Sequence, residues 1–385
     1  MEKRERVLLM LAGDVMTGRG IDQILAHPGP PGLLESHVGD AREYVRLAEA
    51  VNGPVPAPVA PSYIWGDALA EMERAAPDLR IVNLETAVSA DGEAWPAKGV
   101  HYRMNPANVD CLQAAHLDCC VLANNHVLDW GRSGLEDTLR SLRGAGLHTA
   151  GAGADGEEAW APARLPLKGR SPERPGQVLV FGFGCASSGV PRAWSAGPRR
   201  PGVALLPDLS DETARVLADD VARRRGEGDL VVISLHWGGN WGLEIPAAHR
   251  SFARRLIELK AADVIHGHSS HHPMAVEVYR GKLILYGCGD LINDYEGLHQ
   301  AAHHVDHGEL RSDVGCLYFA TLAAPGGQLQ RLEIVPVQLK RLRLAAADPS
   351  ARAWLARIFT AGGYRLEPPR ILRVLPGWLL RWQTG

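Results

Sequence analysis

Six apolar runs of this chain each end in a short polar motif. The six segments are LLMLAGDVMTGRG (8–20), RIVNLETAVS (80–89), CCVLANNHVLDWG (119–131), LVVISLHWGGNW (230–241), ADVIHGHSSHHP (262–273) and LILYGCGDLINDYEG (283–297). A strand that is buried on both faces shows a near-continuous apolar run. In open α/β sheets, ligands bind at the carboxyl ends of such strands. The sequence therefore predicts an α/β fold in which six strand ends converge on one polar site.

The residues at these strand ends are typical of a metal centre. We expect the site to contain Asp14, Glu85, Asn125, His126, His236 and a histidine cluster at 266–272. Carboxylate and amide oxygens combined with imidazoles suit Mn, Zn, Co or Fe, and we expect one or two such ions. Each motif also has a structural interpretation, as a turn Asp, a strand with a wet face or a hydrogen-bonded core His. That interpretation is weakest for the histidine cluster.

Two motifs carry additional spacing information. In NLE (83–85), Asn83 and Glu85 flank one apolar residue, so both side chains share one face of a strand. In ANNHVLDWG (123–131), Asp129 follows His126 by three residues and could hold its imidazole in one tautomer. Both patterns favour a site over a solvated turn.

A second histidine-rich segment, HQAAHHVDH (299–307), allows two interpretations. It is either a solvated loop, or a lid that brings His299 or a neighbour over the site as a proton donor or acceptor.

Composition restricts the class of protein. Apolar residues make up 46% of the chain, charged residues 22%, and the net charge is −3, so we expect no nucleic-acid partner. The apolar run before Gly13 is too short for a signal peptide or a membrane span. The six cysteines form no CxxC pair, and four of them, Cys119, Cys120, Cys185 and Cys288, lie in or beside apolar runs and are typical of reduced core residues. We therefore expect a cytoplasmic protein without a membrane partner.

The order of the predicted elements sets the domain organisation. A Pro- and Gly-rich segment at 28–62 is expected to leave the core as an excursion. Helical patterns alternate with strands early in the chain and strands cluster late, which indicates a layered α/β sandwich over 1–340. We expect a C-terminal helical appendage over 341–385. The main helical patterns lie at 65–76, 133–145, 211–225 and 246–261.

The order GD, NLE, ANNH, HWG, the HGHSSHH run and YGCGD resembles the CapA family. That family is named for poly-γ-glutamate capsule biosynthesis and is related to the calcineurin-like metallophosphoesterases. The resemblance covers residues 7–340. It implies a four-layer α/β/β/α metallophosphoesterase-like sandwich with a metal centre at the strand ends.

The resemblance also implies roles for the residues of the first half. Asp14 corresponds to the first metal-binding Asp, and Glu85 to the carboxylate that bridges two metals. Asn125 and His126 match an Asn–His pair, in which Asn125 is a ligand and His126 faces the substrate.

In the second half, His236 matches a lone ligand His, and His268 pairs with either His266 or His271. The chain also departs from the phosphoesterase pattern. Met16 stands where DxH has its His, and NLE replaces GDxxD, so the first metal site is short of a ligand. Ser269 replaces a His of the usual CapA motif.

Soluble members of the family include metal-dependent peptide epimerases associated with lasso peptides. On this basis we expect a peptide epimerase that inverts one Cα of a ribosomal precursor peptide. Its acid and base would be Asp14 or His126 on one face and His299 on the other. The resemblance further suggests that the peptide contacts Trp237, Asn240, Trp241 and Asp290.

Two alternatives remain open from the sequence. One is a metal-dependent hydrolase of phosphoesters or amides, which would use the same ligands. The other is a CapA-like protein that takes part in poly-γ-glutamate or other polymer biosynthesis, or binds such a polymer. The missing DxH histidine and the His-rich segment at 299–307 favour proton transfer over phosphatase chemistry.

Overall fold

The protein folds as two β-sheets packed face to face, with helices on both outer faces. The structure is a computed structural model that describes residues 6–167, 176–298, 310–369 and 374–382. The predicted α/β/β/α sandwich is confirmed. Within these ranges, no helix combines the length and the apolar character needed to cross a bilayer.

The first sheet is built around β1 (Arg6–Val15). Its strands in spatial order are β20 (Arg365–Glu367), β21 (Trp378–Arg381), β18 (Leu329–Leu339), β17 (Val314–Ala323), β1, β2 (Leu79–Leu84), β5 (Cys119–Val121) and β6 (His148–Ala150). Two further strands pair at its side, β16 (Asp290–Ile292) with β1 and β19 (Leu344–Ala346) with β18. Strands β1, β2, β5, β6 and β16 run parallel, so their carboxyl ends meet at one edge.

The second sheet is built around β12 (Leu230–His236). Its order is β11 (Leu205–Leu206), β9 (Gln177–Cys185), β12, β13 (Val264–His268), β15 (Lys282–Leu285) and β14 (Val276–Tyr279), with β8 (Ala163–Pro166) beside β9. All but β8 and β14 run parallel. Two small pairs complete the strands: β3 (Ala87–Val88) with β4 (Arg103–Met104), and β7 (Ala152–Gly153) with β10 (Gly202–Val203).

The helices are α1 (Gly20–Ile24), α2 (Arg42–Asn52), α3 (Gly66–Ala75), α4 (Asp110–Gln113), α5 (Gly131–Gly144), α6 (Gly156–Trp160), α7 (Asp211–Arg224), α8 (Ala247–Glu258) and α9 (Pro349–Thr360). All of the named helices except the last, α9, cover the outer faces of the two sheets. Helix α7 shows why these segments are helical. The Ser210 side chain accepts a hydrogen bond from the Thr213 amide, acidic residues fill its first turn and Arg223 and Arg224 its last.

Successive side chains along each strand face opposite sides of the sheet, which divides the apolar residues into layers. In β1, Leu9 and Leu11 point between the sheets, whereas Met10 and Ala12 face the helices of the first sheet. In β12, Val232 packs between the sheets, and its neighbours face α7 and α8. Strands that are apolar on both faces are therefore what a four-layer sandwich requires.

Two expectations about domain organisation differ from the structure. The 28–62 segment contains α2, and its residues Ala48, Val55 and Val59 are buried against the core of the first sheet, so it is not a detached excursion. The region 341–385 does contain a helix, α9, but α9 packs into the core between the sheets, and β19, β20 and β21 pair within the first sheet. The described part of this region completes the sandwich, because it adds β19, β20 and β21 to the antiparallel side of the first sheet.

Candidate metal centre

The carboxyl edge of the first sheet supplies oxygen atoms. Asp14 lies at the end of β1, directly opposite Asp290 of β16, at a point where the strand register shifts. The Asn83 amide donates to Asp14 Oδ1 at 2.7 Å and to Glu85 Oε2 at 3.3 Å. Gly13 allows β1 to lie close to Gly289, the residue before β16, since a Cβ at Gly13 would lie 1.8 Å from the Gly289 carbonyl oxygen. Two carboxylates of neighbouring strands, Asp14 and Glu85, are thus held together by one amide.

The carboxyl edge of the second sheet supplies imidazoles. His236 ends β12 and His268 ends β13, and the two residues are partners in the parallel register. Their Nδ1 atoms lie 2.8 Å apart. His236 Nε2 lies 2.9 Å from Asn125 Oδ1, and His268 Nδ1 lies 3.9 Å from Asp14 Oδ1. Asp14, His236 and His268 therefore form one buried group whose potential ligand atoms all lie within 4.8 Å of one another.

A second group with the same spacing lies beside the first. It consists of Asp14, His271 and Asp290. His271 Nδ1 lies 2.9 Å from Asp290 Oδ1, and the Asn293 amide donates to Asp290 Oδ2 at 2.7 Å. Asp14 belongs to both groups, so its carboxylate would be shared if each group held an ion. Asp290, which we expected to contact substrate, is therefore placed among the potential ligands.

The protonation chemistry of the groups fits a cation. Burial, with the charge of Asp290 added to it, raises the pKa of Asp14 to about 7. Burial and the charge of Asp14 raise the pKa of Glu85 well above its usual range. Burial lowers the pKa of both His236 and His268, so these imidazoles are neutral and offer lone pairs. Crowded buried carboxylates beside neutral imidazoles are stabilised by a divalent ion between them.

His126 lies at the same edge but is oriented by other contacts. Its Nδ1 lies 2.6 Å from Asp129 Oδ2 and 3.0 Å from Lys98 Nζ, and Lys98 also pairs with Asp129 at 2.6 Å. Its Nε2 points towards Glu85, with 3.8 Å to Oε1. Asn124 holds the loop by accepting from the amides of His126 and Val127. The expected Asp129–His126 contact is present, and it leaves one ring nitrogen facing the centre.

The part of the chain that contains these residues matches a known protein family. The model of a family described as "Bacterial capsule synthesis protein PGA_cap" matches residues 8–295. The chain belongs to this family. The matched region contains every residue of the two ligand groups, together with His126 and Asp129.

Curated relatives cover the chain to different extents. A protein of Mycobacterium tuberculosis named "Probable polyglutamine synthesis accessory protein" is 44% identical over 380 residues, which is 96% of each chain. The "Capsule biosynthesis protein CapA" of Bacillus anthracis is 23% identical, over 76% of this chain and 61% of its own. The "PGA biosynthesis protein CapA" of Bacillus subtilis is 28% identical over 51% and 48%, respectively.

One histidine that we expected as a ligand in this PGA_cap family member supports the centre instead. Both nitrogens of His266 face protein atoms, Nε2 at 2.8 Å from the Ala12 carbonyl oxygen and Nδ1 at 3.0 Å from Ser234 Oγ. The same Ser234 hydroxyl lies 2.9 Å from His268 Nε2 and so orients the Nδ1 of His268 towards Asp14. Of the two possible partners for His268, the structure brings His271 to the centre rather than His266.

The residues expected to bind substrate are placed differently from one another. Trp237 is buried, donates from Nε1 to the Tyr286 carbonyl at 2.8 Å and stacks on His249, so it belongs to the core and not to a cleft. Asn240 is exposed, and its carbonyl accepts from the His271 amide at 2.9 Å. Trp241 is half-buried against His271. His299 and the rest of 299–307 lie outside the described residues.

Two tyrosines, Tyr102 and Tyr295, lie beside the two groups, and the motifs did not predict this. The Tyr102 ring packs edge-on against His126 at 4.5 Å, the Tyr295 ring against His271 at 5.3 Å, and the Tyr102 hydroxyl donates to Tyr295 at 3.1 Å. Arg19 lies over the Tyr102 ring at 4.2 Å and is neutralised by buried Asp294. The only signal in the sequence was that Arg19 and Tyr295 fall inside two of the strand-end motifs.

Lys98 is the other residue that sequence reasoning missed. It lies in the connection between β3 and β4, outside all six motifs, and no strand end leads to it. Only the folded chain places its ammonium group beside His126 and Asp129.

Proposed function

We propose that this protein is a divalent-metal-dependent enzyme that cleaves amide linkages in a polymer of glutamate or glutamine residues. The observation that carries the proposal is the pair of ligand groups sharing Asp14, with the free nitrogen of His126 facing them. The choice of polymer is supported by the names of the relatives, which concern polyglutamine synthesis, PGA biosynthesis and capsule biosynthesis. This corresponds to the polymer alternative rather than to the peptide epimerase.

Two sets of residues would hold the ions, and a separate residue, His126, would transfer the proton. Asp14, His236 and His268 would hold one ion, with Glu85 and Asn125 next to it. A second would lie between Asp14, His271 and Asp290. Ions bound there would polarise the carbonyl of the scissile amide and would stabilise the charge that develops on its oxygen.

His126 is suited to accept a proton from the water that attacks the carbonyl and to pass it to the departing amine, because burial and the charge of Lys98 lower the pKa of its imidazole and leave it neutral. Asp129, 2.6 Å from Nδ1, fixes the ring, and the Tyr102 ring packs against one edge of it. Its Nε2 is then directed at the space beside Glu85. A positioned imidazole that transfers a proton in this way usually contributes about 10²- to 10⁴-fold in rate.

Epimerisation has less support from the described residues. Inversion of a Cα needs an acid and a base on opposite faces. Around the described centre, His236, His268 and His271 fall in the ligand groups or beside them, which leaves His126 as the histidine directed at substrate. The expected opposite group, His299, lies outside the described residues, and no relative named above is called an epimerase.

The test is a cleavage assay on defined polymers. The protein, stripped of metal and reloaded with Mn, Co, Zn or Fe, is incubated with oligomers of poly-γ-glutamate and of polyglutamine in deuterium oxide. We expect new amino groups to appear with a reloaded ion, and none with Asp14→Asn. The exposed His148→Ala is a matched control that should cleave normally.

Two results would contradict the proposal. One is incorporation of deuterium at Cα without any new amino group, which would establish the epimerase. The other is release of p-nitrophenol from bis-p-nitrophenyl phosphate while both polymers stay intact, which would establish a phosphoesterase.

A further inference from the structure

We propose that an arginine surface next to the metal centre binds the carboxylate groups of an anionic polymer. The arginine surface consists of Arg132 at the start of α5 and of Arg192, Arg199 and Arg200 in the loop that follows β9. This deepens the proposed function and rests on it for the choice of polymer. The ligand class is a chain that carries a carboxylate on each repeat.

The loop leaves directly from the metal centre. Just after β9, the Ser188 hydroxyl hydrogen-bonds to the carbonyl of His236 at 2.8 Å. Gly189 follows with a φ of 78°, and a Cβ there would lie 3.6 Å from the Asn125 amide nitrogen. The arginine surface therefore begins within a few residues of two members of the centre, His236 and Asn125.

Side chains near His126 continue this connection. The buried Trp194 follows Arg192 in the same 3-10 turn. Lys98 Nζ lies 5.8 Å from the centre of the Trp194 ring and 3.0 Å from His126 Nδ1. A polymer lying along the loop would thus pass close to the proposed proton donor.

The loop is held in a fixed shape. Arg132 donates to the Ala193 carbonyl at 2.8 Å and also to the Pro201 carbonyl, which ties both ends of the turn to α5. Gly197 and Arg200 exchange backbone hydrogen bonds of 3.0 and 3.2 Å, which closes a tight turn with Arg199 inside it. A turn preorganised in this way loses little conformational entropy when it binds a ligand.

The charges of the surface lack carboxylate partners. Arg192, Arg199 and Arg200 are exposed, and across residues 6–167, 176–298, 310–369 and 374–382 none of the four arginines pairs with an Asp or Glu. Burial lowers the pKa of Arg132, and the neighbouring charge of Arg200 lowers it further. Like charges held side by side repel each other, and an anionic ligand relieves that repulsion.

Helix α7 shows that this lack of partners is a local property. Arg215 and Arg223 of this helix are also exposed, but Arg215 pairs with Asp211 and Arg223 pairs with Asp220. In a chain whose net charge is −3, four arginines that form no ion pair with an Asp or Glu of the described residues make a distinct surface. Guanidinium groups bind carboxylates in a two-pronged geometry, so a polymer with repeated carboxylates can engage several of them at once.

The experiment measures binding separately from catalysis. Fluorescein-labelled poly-γ-glutamate of defined length is titrated with the Asp14→Asn protein, and anisotropy is followed at low and at moderate salt. We expect Arg199→Ala/Arg200→Ala in this background to weaken binding about five- to tenfold, since each exposed ion pair contributes modestly. Arg215→Ala/Arg223→Ala on α7 removes the same charge and should leave binding unchanged.

The outcomes are distinguishable. Equal weakening by both double variants, or binding that does not weaken with added salt, would overturn the proposal. Equal affinity for labelled polyglutamine would also overturn it, because that polymer carries no charge. A single-stranded DNA of matched charge that binds more tightly would assign the surface to nucleic acid instead. Binding that follows our expectation, together with no cleavage of either polymer by the metal-reloaded wild-type protein, would refute the proposed function alone.

Discussion

The two sheets of this protein contribute different chemistry to one site. The first sheet supplies mostly potential oxygen ligands, from Asp14 at the end of β1, Asn125 beyond the end of β5 and Asp290 at the start of β16. The second supplies potential nitrogen ligands, from His236 and His268 at the ends of its own parallel strands. Neither sheet by itself contains one of the two buried ligand groups, because each group combines residues of both.

This difference shows where the site depends on the fold. Strand pairing within a sheet fixes neighbours such as His236 and His268, whereas only the packing of one sheet on the other brings Asp14 to them. The site should therefore respond differently to changes at the junction, within one sheet, and in the supporting core.

The largest expected effect is at Asp14, which both ligand groups share. We expect Asp14→Asn to lower the affinity for divalent ions by more than about 100-fold, because even an outer partner of a ligand is worth about 10- to 100-fold. Metal content after dialysis, measured by elemental analysis, checks this. A variant that keeps its full metal content would show that the sheets do not share a ligand.

The next effect separates the two histidines of β13. His268→Ala should lose the ion that His236 also contacts, while His266→Asn should keep it, because both nitrogens of His266 are engaged by Ala12 and Ser234. We expect His266→Asn to lower the temperature of thermal unfolding instead. Metal analysis and calorimetry on the two variants decide the point, and equal metal loss would make His266 a ligand after all.

A smaller and purely kinetic effect is expected at His126. His126→Ala should lower the cleavage rate about 10²- to 10⁴-fold without loss of metal, since its Nδ1 is held by Asp129 and its Nε2 faces the substrate space. Asn125→Ala, one residue away, is the contrasting variant and should lose metal. If both variants lose metal equally, His126 is a ligand and not a proton donor.

The smallest catalytic effect is expected at Trp237. Trp237→Phe removes the Nε1 hydrogen bond to the Tyr286 carbonyl and leaves that buried oxygen unpaired, at a cost of about 1–3 kcal/mol in the free energy of unfolding. Metal content and cleavage should not change, because the ring packs on His249 in the core of the second sheet. Urea unfolding and a cleavage assay measure the two properties. A change of polymer preference in this variant would instead show that Trp237 contacts the substrate.

Local sequence patterns predicted helices and strands well where apolar residues recur with a regular period or form a continuous run. Helices expected at 65–76 and 211–225 are present as α3 (Gly66–Ala75) and α7 (Asp211–Arg224), and the apolar runs before the motifs are strands. The Pro- and Gly-rich segment was less predictable, because nothing local shows that Val55 and Val59 pack against the first sheet. The C-terminal strands were missed for the same reason.

The sequence by itself determined the α/β class and the gathering of Asp, Asn and His residues at strand ends. These are local properties, since apolar runs and the polar residues that end them are written in consecutive positions. Only the tertiary structure decided that Asp290 joins His271, that His266 turns away and that Lys98 reaches His126. Such choices depend on the stacking of two sheets and on side-chain directions across them, and residues far apart in the chain carry no local signal of either.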